Sequence, residues 1–331
     1  MNAGVIGGGS WGSAFAITLG RNGIRTKLWI REPEIFEAAQ RERENRIFLP
    51  GFKFPGPVSI HHDLEETVRE CEILFIAVPS QFCRKIYVRL RPLLEERPSI
   101  ISLTKGIEKG TLMRMSEIME ETLGPAGAEK SGALSGPSFA REVAEGHPTA
   151  LVLAASDHAW ARKVQHRLSN LALRIYMTGD VVGIELAGAL KNVIAIAAGL
   201  SDAMDFGLNS RAALMTRGLA EIARLGLKLG ARRETFSGLA GMGDLLLTCT
   251  GPLSRNRHVG FELGRGGRLR DIITRMRMVA EGIPTTVSAR ALALREGVEM
   301  PIIEQVYQVL YRNKDPRRAM TDLMARALKE E

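Results

Sequence analysis

The sequence predicts an α/β protein whose first part is a doubly wound, mainly parallel sheet and whose second part is helical throughout. Short apolar runs alternate with helical patterns as far as residue 180, as they do in chains of β-α-β units. Beyond that point the strand pattern stops and helical patterns fill the remainder of the 331 residues. We therefore predict two domains, residues 1–180 and residues 181–331, each of ordinary size.

Composition narrows the choice of partners. Lys and Arg outnumber Asp and Glu by 45 to 37, which gives a net charge of +8 and favours anionic ligands. The basic residues are mostly scattered along the chain, so nucleic acid is not expected as a partner. The densest group is five arginines between Arg265 and Arg277, which we interpret as a solvated face.

The cysteines and the N-terminal residues indicate in which cellular compartment the protein is expected. Cys71, Cys83 and Cys249 form a sparse, odd-numbered set, which favours a reducing environment over a disulfide framework. Their spacing is not that of a metal site, so no metal is expected. The first residues lead directly into a strand pattern and carry no signal-peptide pattern, and we therefore expect a cytoplasmic protein.

The first strand, helix and second strand surround a glycine-rich turn. Residues 2–6 predict a buried strand, residues 13–22 a helix and residues 25–30 the next strand. The turn between the first two is Gly7-Gly8-Gly9-Ser10-Trp11-Gly12. In this setting Gly7 permits the tight turn, Gly9 allows a pyrophosphate to approach the backbone, and Gly12 allows the helix to pack closely. The sequence thus predicts a Rossmann-type dinucleotide-binding domain.

The end of the second strand bears on the choice between NADP and NAD. An acidic residue there would hold the ribose 2′-hydroxyl of NAD, whereas this chain has Arg31 followed by Glu32. Arg31 could pair with the 2′-phosphate of NADP, and an exposed loop arginine is the alternative. We expect NADPH to be preferred, with Glu32 as a competing influence.

Further strands end in polar loops. We predict strands at residues 72–78, 99–103, 133–135, 149–154 and 173–177. Lys105 follows one of these strands, and Gly136-Pro137-Ser138-Phe139-Ala140 follows another and opens a helix. The carboxyl ends of parallel strands line the crevice where open α/β sheets bind ligands, so Lys105 and Ser138 are candidate ligand contacts.

The most apolar segment of the chain contains one lysine. Residues 183–205 predict a helix buried in protein. Because Glu185 and Lys191 interrupt its apolar run, the run is shorter than the roughly 18 apolar residues expected of a membrane span. The residues three and four positions from Lys191 are small or apolar and cannot pair with its charge. Either the ammonium group reaches water at the end of its long stem, or it is desolvated and transfers a proton.

A glycine-rich stretch interrupts the helical part. Residues 238–251 predict irregular backbone around Asp244, which could alternatively be the N-cap of a helix. Shortly afterwards, Ser254-Arg255-Asn256 supplies a hydroxyl, a guanidinium and an amide, which suits a phosphate, although a plain surface turn is the alternative. Other helices are predicted at residues 211–229, 286–296, 301–311 and 316–329.

Six motifs follow one another along nearly the whole chain: Gly7-Gly8-Gly9-Ser10-Trp11-Gly12, Ser102-Leu-Thr-Lys105-Gly106, Leu134-Ser-Gly136-Pro-Ser138-Phe-Ala140, Gly188-Ala-Leu-Lys191-Asn192, Gly241-Met-Gly-Asp244-Leu and Ser254-Arg255-Asn256. Together and in this order they give the chain a resemblance to the NAD(P)-dependent glycerol-3-phosphate dehydrogenases, among them the bacterial biosynthetic enzymes. Ala203 departs from the glycine usual after the aspartate at position 202, and it is not a candidate ligand.

The resemblance implies an oxidoreductase that interconverts dihydroxyacetone phosphate and sn-glycerol 3-phosphate with NADP or NAD. It implies Lys191 as general acid and base, and a role in glycerophospholipid biosynthesis. Cofactor contacts implied are Ser10, Trp11, Arg31, Lys105, Ala140, Arg255, Val279 and Glu281. Substrate contacts implied are Lys105, Gly136, Ser138, Lys191, Asp244, Ser254, Arg255 and Asn256. The expected partners are these small molecules; a homodimer is considered, and an integral membrane segment is not expected.

The residues themselves add roles and leave alternatives open. Lys105 could polarise the substrate carbonyl, and Asp244 could orient Lys191. A β-hydroxyacid dehydrogenase of the same two-domain plan is one alternative, since an arginine binds carboxylate as well as phosphate. A nucleotide-sugar oxidation through Cys249 is less favoured because no basic residue lies beside it in the sequence. The last alternative is a redox sensor that binds NAD(P) without turnover.

Overall fold

The computed structural model describes residues 1–94, 98–124 and 130–328. The chain divides into two compact units. The sheet unit comprises Met1–Lys105 and Met113–Glu185, and the helical unit comprises Gly106–Leu112 and Leu186–Glu331.

The sheet unit is built on one eight-stranded sheet with the strand order β3-β2-β1-β4-β5-β6-β7-β8. All neighbouring strands are parallel except β6 and β7, so the last two strands run opposite to the first six. The strands are β1 Asn2–Ile6, β2 Arg25–Trp29, β3 Val58–His61, β4 Ile73–Ile76, β5 Ser99–Ser102, β6 Ser131–Ser135, β7 Thr149–Ala154 and β8 Leu173–Thr178. The predicted fold class is confirmed: a doubly wound, mostly parallel sheet followed by helices.

Hydrophobic cores lie on both faces of this sheet. Alternate residues of β4 point to opposite faces, so Phe75 belongs to one buried cluster while Leu74 and Ile76 belong to the other. This two-sided burial explains why the strands are continuous apolar runs. The helices of this unit are α1 Ser10–Arg21, α2 Pro33–Glu42, α3 Leu64–Val68, α4 Cys83–Leu90, α5 Met115–Leu123, α6 Ala140–Glu145 and α7 His158–Leu168.

Strand β3 has no counterpart in the sequence analysis. It is four residues long, lies at the edge of the sheet and pairs only with β2. Val58 and Ile60 are buried whereas Ser59 is exposed, so its apolar signal is restricted to two positions that follow a proline-containing loop.

The helical unit is organised around α8, Val181–Ala203, which is buried on all sides from residue 183 to residue 200. By length and composition alone this helix could cross a membrane, and it is the one such helix in the described ranges. Of its most apolar window, 83% is buried inside the protein, as in the core helix of a globular domain. The other helices are α9 Gly207–Lys228, α10 Arg233–Ser237, α11 Asp244–Thr250, α12 Arg255–Gly264, α13 Leu269–Arg275, α14 Gly282–Glu296, α15 Pro301–Arg312 and α16 Pro316–Met324.

Two predictions about the helical unit are wrong in detail. Residues 238–251 are not irregular: a wide turn of π-helix at Leu239–Gly243 continues into α11. Asp244 is the first helical residue and does not cap the helix with its side chain. Helix α16 ends at Met324, so the predicted extension towards residue 329 is wrong as far as residue 328, and residue 329 lies outside the described residues.

Candidate active site

The glycine-rich turn after β1 has the geometry that a dinucleotide requires. Gly7 has a φ of 122°, and a Cβ on Gly12 would lie only 1.9 Å from the Gly7 carbonyl oxygen. At Gly9, by contrast, nothing lies within 4 Å of an added Cβ, so the backbone there is open to a ligand. Gly9 precedes α1 without a side-chain cap, and the first N–H groups of that helix can therefore bind a phosphate.

The next two motif residues support this turn. The Ser10 hydroxyl donates to the Phe48 carbonyl oxygen at 2.7 Å. Trp11 is half-buried, and its ring centroid lies 5.7 Å from that of Phe15, within the core of the sheet unit. Both residues are thus anchored beside Gly9.

Arg31 lies just after β2, and Glu32 competes for its charge. The Arg31 Nε donates to Glu32 Oε1 at 2.9 Å, and a second nitrogen of the guanidinium contacts the same oxygen. The Arg31 side chain is 60% exposed, with its guanidinium 5.8 Å from the centre of the Phe82 ring. An exposed pair of this kind is worth no more than about 1 kcal/mol, so a phosphate could displace Glu32.

A second polar group of the sheet unit gathers around one carbonyl. Lys105 Nζ donates to the Gly136 carbonyl oxygen at 3.2 Å, and the Ser138 hydroxyl donates to the same oxygen at 2.9 Å. Gly136 has a φ of 138°, which favours glycine, and two residues beyond Ser138 helix α6 begins at Ala140. The structure therefore brings Lys105, Gly136 and Ser138 together.

In the helical unit, Lys191 is buried and bonded to another helix. The residue is 5% exposed, and its Nζ donates to Asp244 Oδ1 and to Thr248 Oγ1, both at 2.6 Å. The alternative in which the ammonium group reaches water does not describe this lysine. Asp244 and Thr248 are one turn apart on α11 and so face α8 together.

The sequence analysis did not identify Thr248 as a partner of Lys191. Its hydroxyl donates to the Asp244 backbone carbonyl at 2.6 Å while accepting from Lys191, so it holds the lysine through its own helix. The usable signal was its spacing, four residues after Asp244 on a helix, but that segment was predicted to be irregular.

Ser254, Arg255 and Asn256 form the start of α12 and not a plain surface turn. Ser254 Oγ accepts from the Arg257 backbone N–H at 3.2 Å and caps the helix. The Asn256 amide is fixed from two sides: its Nδ2 donates to Asn192 Oδ1 at 2.8 Å, and its Oδ1 accepts from the Gly282 N–H at 2.9 Å. Asn192 is a second residue that sequence reasoning missed.

Arg255 has a different environment from its two neighbours. Solvent reaches its side chain, yet desolvation by the surrounding protein lowers the pKa of its guanidinium, and the charge of Glu281 opposes that shift. Glu281 immediately precedes helix α14, and Val279, two residues earlier, is exposed. Arg255 and Glu281, both implied cofactor contacts, therefore interact electrostatically within the helical unit.

Other candidate groups lie outside these clusters. Cys249 is fully buried, and burial raises the pKa of its thiol to about 12, which excludes it as a ready nucleophile. The five arginines from Arg265 to Arg277 are all exposed. Across the part of the chain that the structure describes, no three His, Cys, Asp or Glu side chains are grouped to hold a metal ion.

Comparison with known proteins identifies the family. The N-terminal model of NAD-dependent glycerol-3-phosphate dehydrogenase matches residues 2–161, and the C-terminal model matches residues 180–321. A glycerol-3-phosphate dehydrogenase (NAD(P)+) of Citrifermentans bemidjiense is 53% identical over 327 residues, covering 99% of this chain and 98% of that protein. One of Syntrophobacter fumaroxidans is 51% identical over 328 residues, covering 99% and 96%.

A solved structure agrees with the sequence relatives. The crystal structure of glycerol-3-phosphate dehydrogenase from Coxiella burnetii superimposes with a TM-score of 0.94 at 37% sequence identity, covering 98% of this chain and 99% of that one. Both halves of the chain, its relatives over their full length and its fold agree: the chain belongs to the NAD-dependent glycerol-3-phosphate dehydrogenase family.

Proposed function

We propose that this protein interconverts dihydroxyacetone phosphate and sn-glycerol 3-phosphate with NADP or NAD, and that it supplies glycerol phosphate for glycerophospholipid biosynthesis in the cytoplasm. The single observation that carries the proposal is the buried Lys191, bonded to Asp244 and Thr248, in a chain of this family. In this proposal residues 1–180 form the cofactor domain and residues 181–331 the substrate domain.

Lys191 moves the proton of the reaction. When bound, the nicotinamide supplies or accepts the hydride at the carbonyl carbon. In the reducing direction the Lys191 ammonium gives a proton to the carbonyl oxygen as negative charge develops there, and in the oxidising direction the neutral amine takes it back. A positioned acid of this kind contributes roughly 10²–10⁴-fold. Asp244 and Thr248, each 2.6 Å from Nζ, fix the direction in which the ammonium can donate.

The substrate phosphate is assigned to the start of α12. Arg255 supplies a fixed positive charge, and Ser254 and Asn256 supply neighbouring polar groups. Because Asn256 already uses one N–H on Asn192 and its oxygen on Gly282, one N–H of its amide remains for a ligand. Lys105, with Gly136 and Ser138, is assigned to the substrate in the sheet domain, where Lys105 polarises the carbonyl.

The cofactor is assigned to the turn of Gly7, Gly9 and Gly12. The open space at Gly9 and the uncapped start of α1 support a pyrophosphate there. Arg31 reads the 2′-phosphate, which makes NADPH the preferred cofactor. The remaining assigned contacts are Ser10, Trp11, Lys105, Ala140, Arg255, Val279 and Glu281.

The test is a substrate panel with purified protein. Dihydroxyacetone phosphate, dihydroxyacetone and several β-keto acids are offered with NADPH and with NADH, and loss of nicotinamide absorbance is followed. Of the compounds in the panel, we expect only dihydroxyacetone phosphate to give rapid oxidation of the cofactor, with sn-glycerol 3-phosphate as the product. A larger kcat/KM for a β-keto acid would favour the hydroxyacid dehydrogenase instead. Binding of NADPH without turnover of any member would favour a sensor.

A further inference from the structure

Near the end of α8, one carboxylate joins three helices. Asp202 Oδ1 accepts from the Nε of Arg211 on α9 at 2.7 Å, and Asp202 Oδ2 accepts from the Nε of Arg257 on α12 at 2.7 Å. A second nitrogen of each guanidinium contacts the same oxygen as its Nε. The Asp202 side chain is 6% exposed, whereas the side chains of Arg211 and Arg257 are 25% and 23% exposed. We call this arrangement the Asp202 clamp.

An ion pair as buried as this is weak evidence for stability, because desolvation offsets much of its attraction. Its geometry, however, restricts motion strongly, since both oxygens are occupied by planar guanidinium groups of fixed shape. The question is therefore which parts of the protein the clamp holds in place.

Helix α12, which the clamp joins to α8, lies alongside α8 in a constant register. At the start of α12, Asn256 bonds to Asn192, 64 residues earlier. One turn further, a Cβ on Gly260 would lie 2.0 Å from the Ile196 carbonyl oxygen, so the two backbones touch. One more turn along, Gly264 lies against Leu200. The two helices thus run parallel, in contact at three successive levels that span about two turns.

This register links the clamp to the proposed site. Lys191 lies on α8, and the proposed phosphate residues Arg255 and Asn256 open α12. Arg257 directly follows them, so its bond to Asp202 gives the first turn of α12 a second side-chain contact with α8, besides that of Asn256 with Asn192. Arg211 braces the same carboxylate from α9 and is not part of either helix.

We propose that Asp202 is a positioning residue for the substrate: through Arg257 it holds Arg255 and Asn256 at the distance from Lys191 that dihydroxyacetone phosphate requires. The inference rests on the proposed function, because it assigns the phosphate to α12. Asp202 touches no reacting atom, and its effect reaches the reaction only through the start of that helix.

The test compares two substrates in one variant. Asp202→Asn keeps the size of the side chain but removes its charge and presents an amide N–H to a guanidinium. The quantity measured is the ratio of kcat/KM for dihydroxyacetone phosphate to kcat/KM for dihydroxyacetone, at saturating NADPH. We expect the ratio to fall about 10-fold or more, chiefly because KM for dihydroxyacetone phosphate rises. The kcat/KM for dihydroxyacetone and the Kd of NADPH should stay nearly unchanged.

Two controls separate positioning from loss of stability. Glu221→Gln alters another buried carboxylate of the helical unit, one that contacts α15 instead of α12, and the ratio should stay at its wild-type value. In the double variant Asp202→Asn/Arg255→Ala, the loss should be smaller than the sum of the two single losses on a logarithmic scale, because part of the effect of Asp202 passes through Arg255. If Asp202→Asn does not fold, Arg257→Lys breaks the same clamp with charge retained, and it should lower the ratio in the same way.

The outcomes that overturn the inference differ from those that overturn the function. A wild-type protein with no preference for dihydroxyacetone phosphate contradicts the proposed function itself. A wild-type preference that survives in Asp202→Asn, or equal losses on both substrates, contradicts the positioning role alone. A fully additive double variant does the same, since it would place Asp202 on a path independent of Arg255.

Discussion

At Lys191 a single ammonium group lies in a helix that carries no other charge from Leu186 to Leu200. Burying a cation is costly unless it is paired and hydrogen-bonded, and here Asp244 and Thr248 provide both functions. Removing only one member of such a buried pair costs about 3–5 kcal/mol, because the other charge is stranded. Variants at this site must therefore be checked for folding before their activity is interpreted.

In the proposed function, cofactor choice depends on Arg31. We expect NADPH to be used better than NADH, and Arg31→Asp to lower that preference by about 10–100-fold, since a charged hydrogen bond contributes about 1.5–3 kcal/mol. Because Glu32 holds the guanidinium in the absence of a phosphate, Glu32→Gln should raise the preference. The ratio of kcat/KM values for the two cofactors, measured in all three proteins, is the readout. A constant ratio would show that another residue reads the 2′-phosphate.

In the proposed function, phosphate recognition depends on Arg255. The phosphate does not react, so its binding energy can hold the carbonyl in place. We expect Arg255→Ala to lose roughly 2–4 kcal/mol in kcat/KM for dihydroxyacetone phosphate and most of the preference over dihydroxyacetone. NADPH binding must be measured alongside, since Arg255 is also an assigned cofactor contact. If the preference persists in the variant, the phosphate is held elsewhere, with Lys105 and Ser138 as the next residues to change.

Between elements, the contact of α8 with α12 depends on glycines. A Cβ on Gly199 would lie 2.0 Å from the Arg257 carbonyl oxygen, which is backbone and cannot move alone. In an isolated helix, replacing glycine by alanine stabilises by about 1 kcal/mol. At Gly199 we expect the opposite sign: Gly199→Ala should lower the free energy of unfolding by about 1–3 kcal/mol through overpacking.

Urea unfolding of this variant is compared with that of Gly56→Ala. Nothing lies within 4 Å of an added Cβ at Gly56, so that change should stay within about 0.5 kcal/mol of wild type. A stabilised Gly199→Ala protein would mean that the two helices are not in backbone contact.

The link between α9 and α15 predicts a pH dependence. The buried Glu221 carboxylate accepts from the N–H groups of Ile302 and Ile303 at the start of α15. Burial raises its pKa from 4.5 to about 7, although those two N–H groups oppose the shift. The folded protein then holds this proton at a pH where the unfolded chain has released it. The titration of Glu221 therefore lowers the free energy of unfolding as pH rises from 4.5 to about 7, and it has no further effect above that pH.

Glu221→Gln removes this titration while keeping an acceptor for Ile302. Urea unfolding of both proteins across this pH range gives the difference in their free energies of unfolding, in which other titrating groups cancel. We expect the difference to move by about 3 kcal/mol in favour of the variant between pH 4.5 and pH 7. A difference that does not vary with pH would mean that Glu221 titrates alike in the folded and unfolded chains.

Over the whole molecule, local patterns were sufficient to predict seven of the eight described strands, but insufficient to predict which side chains of different helices contact one another. Strand β7 lies at the predicted residues because apolar runs between turn residues are local signals. Strand β3 was missed because an edge strand of four residues buries only two side chains. The Lys191–Asp244 contact joins residues 53 apart. The sequence analysis named Asp244 as a residue that could orient Lys191, but no periodicity in either helix specifies that contact. Thr248 and Asn192 were missed for the same reason, since each is defined by a contact with another helix.

The central claim is that one chain supplies both the cofactor site and the acid Lys191 that completes the reduction of dihydroxyacetone phosphate. Its most direct test is steady-state turnover of Lys191→Ala and Lys191→Arg, with NADPH binding measured on the same preparations. Arginine keeps a positive charge beside Asp244 but does not give up its proton. We expect normal NADPH binding in both variants and a loss of turnover of at least about 10²-fold in each. Near-normal turnover in either variant would contradict the role of Lys191 as the acid, because the proton would then come from another group.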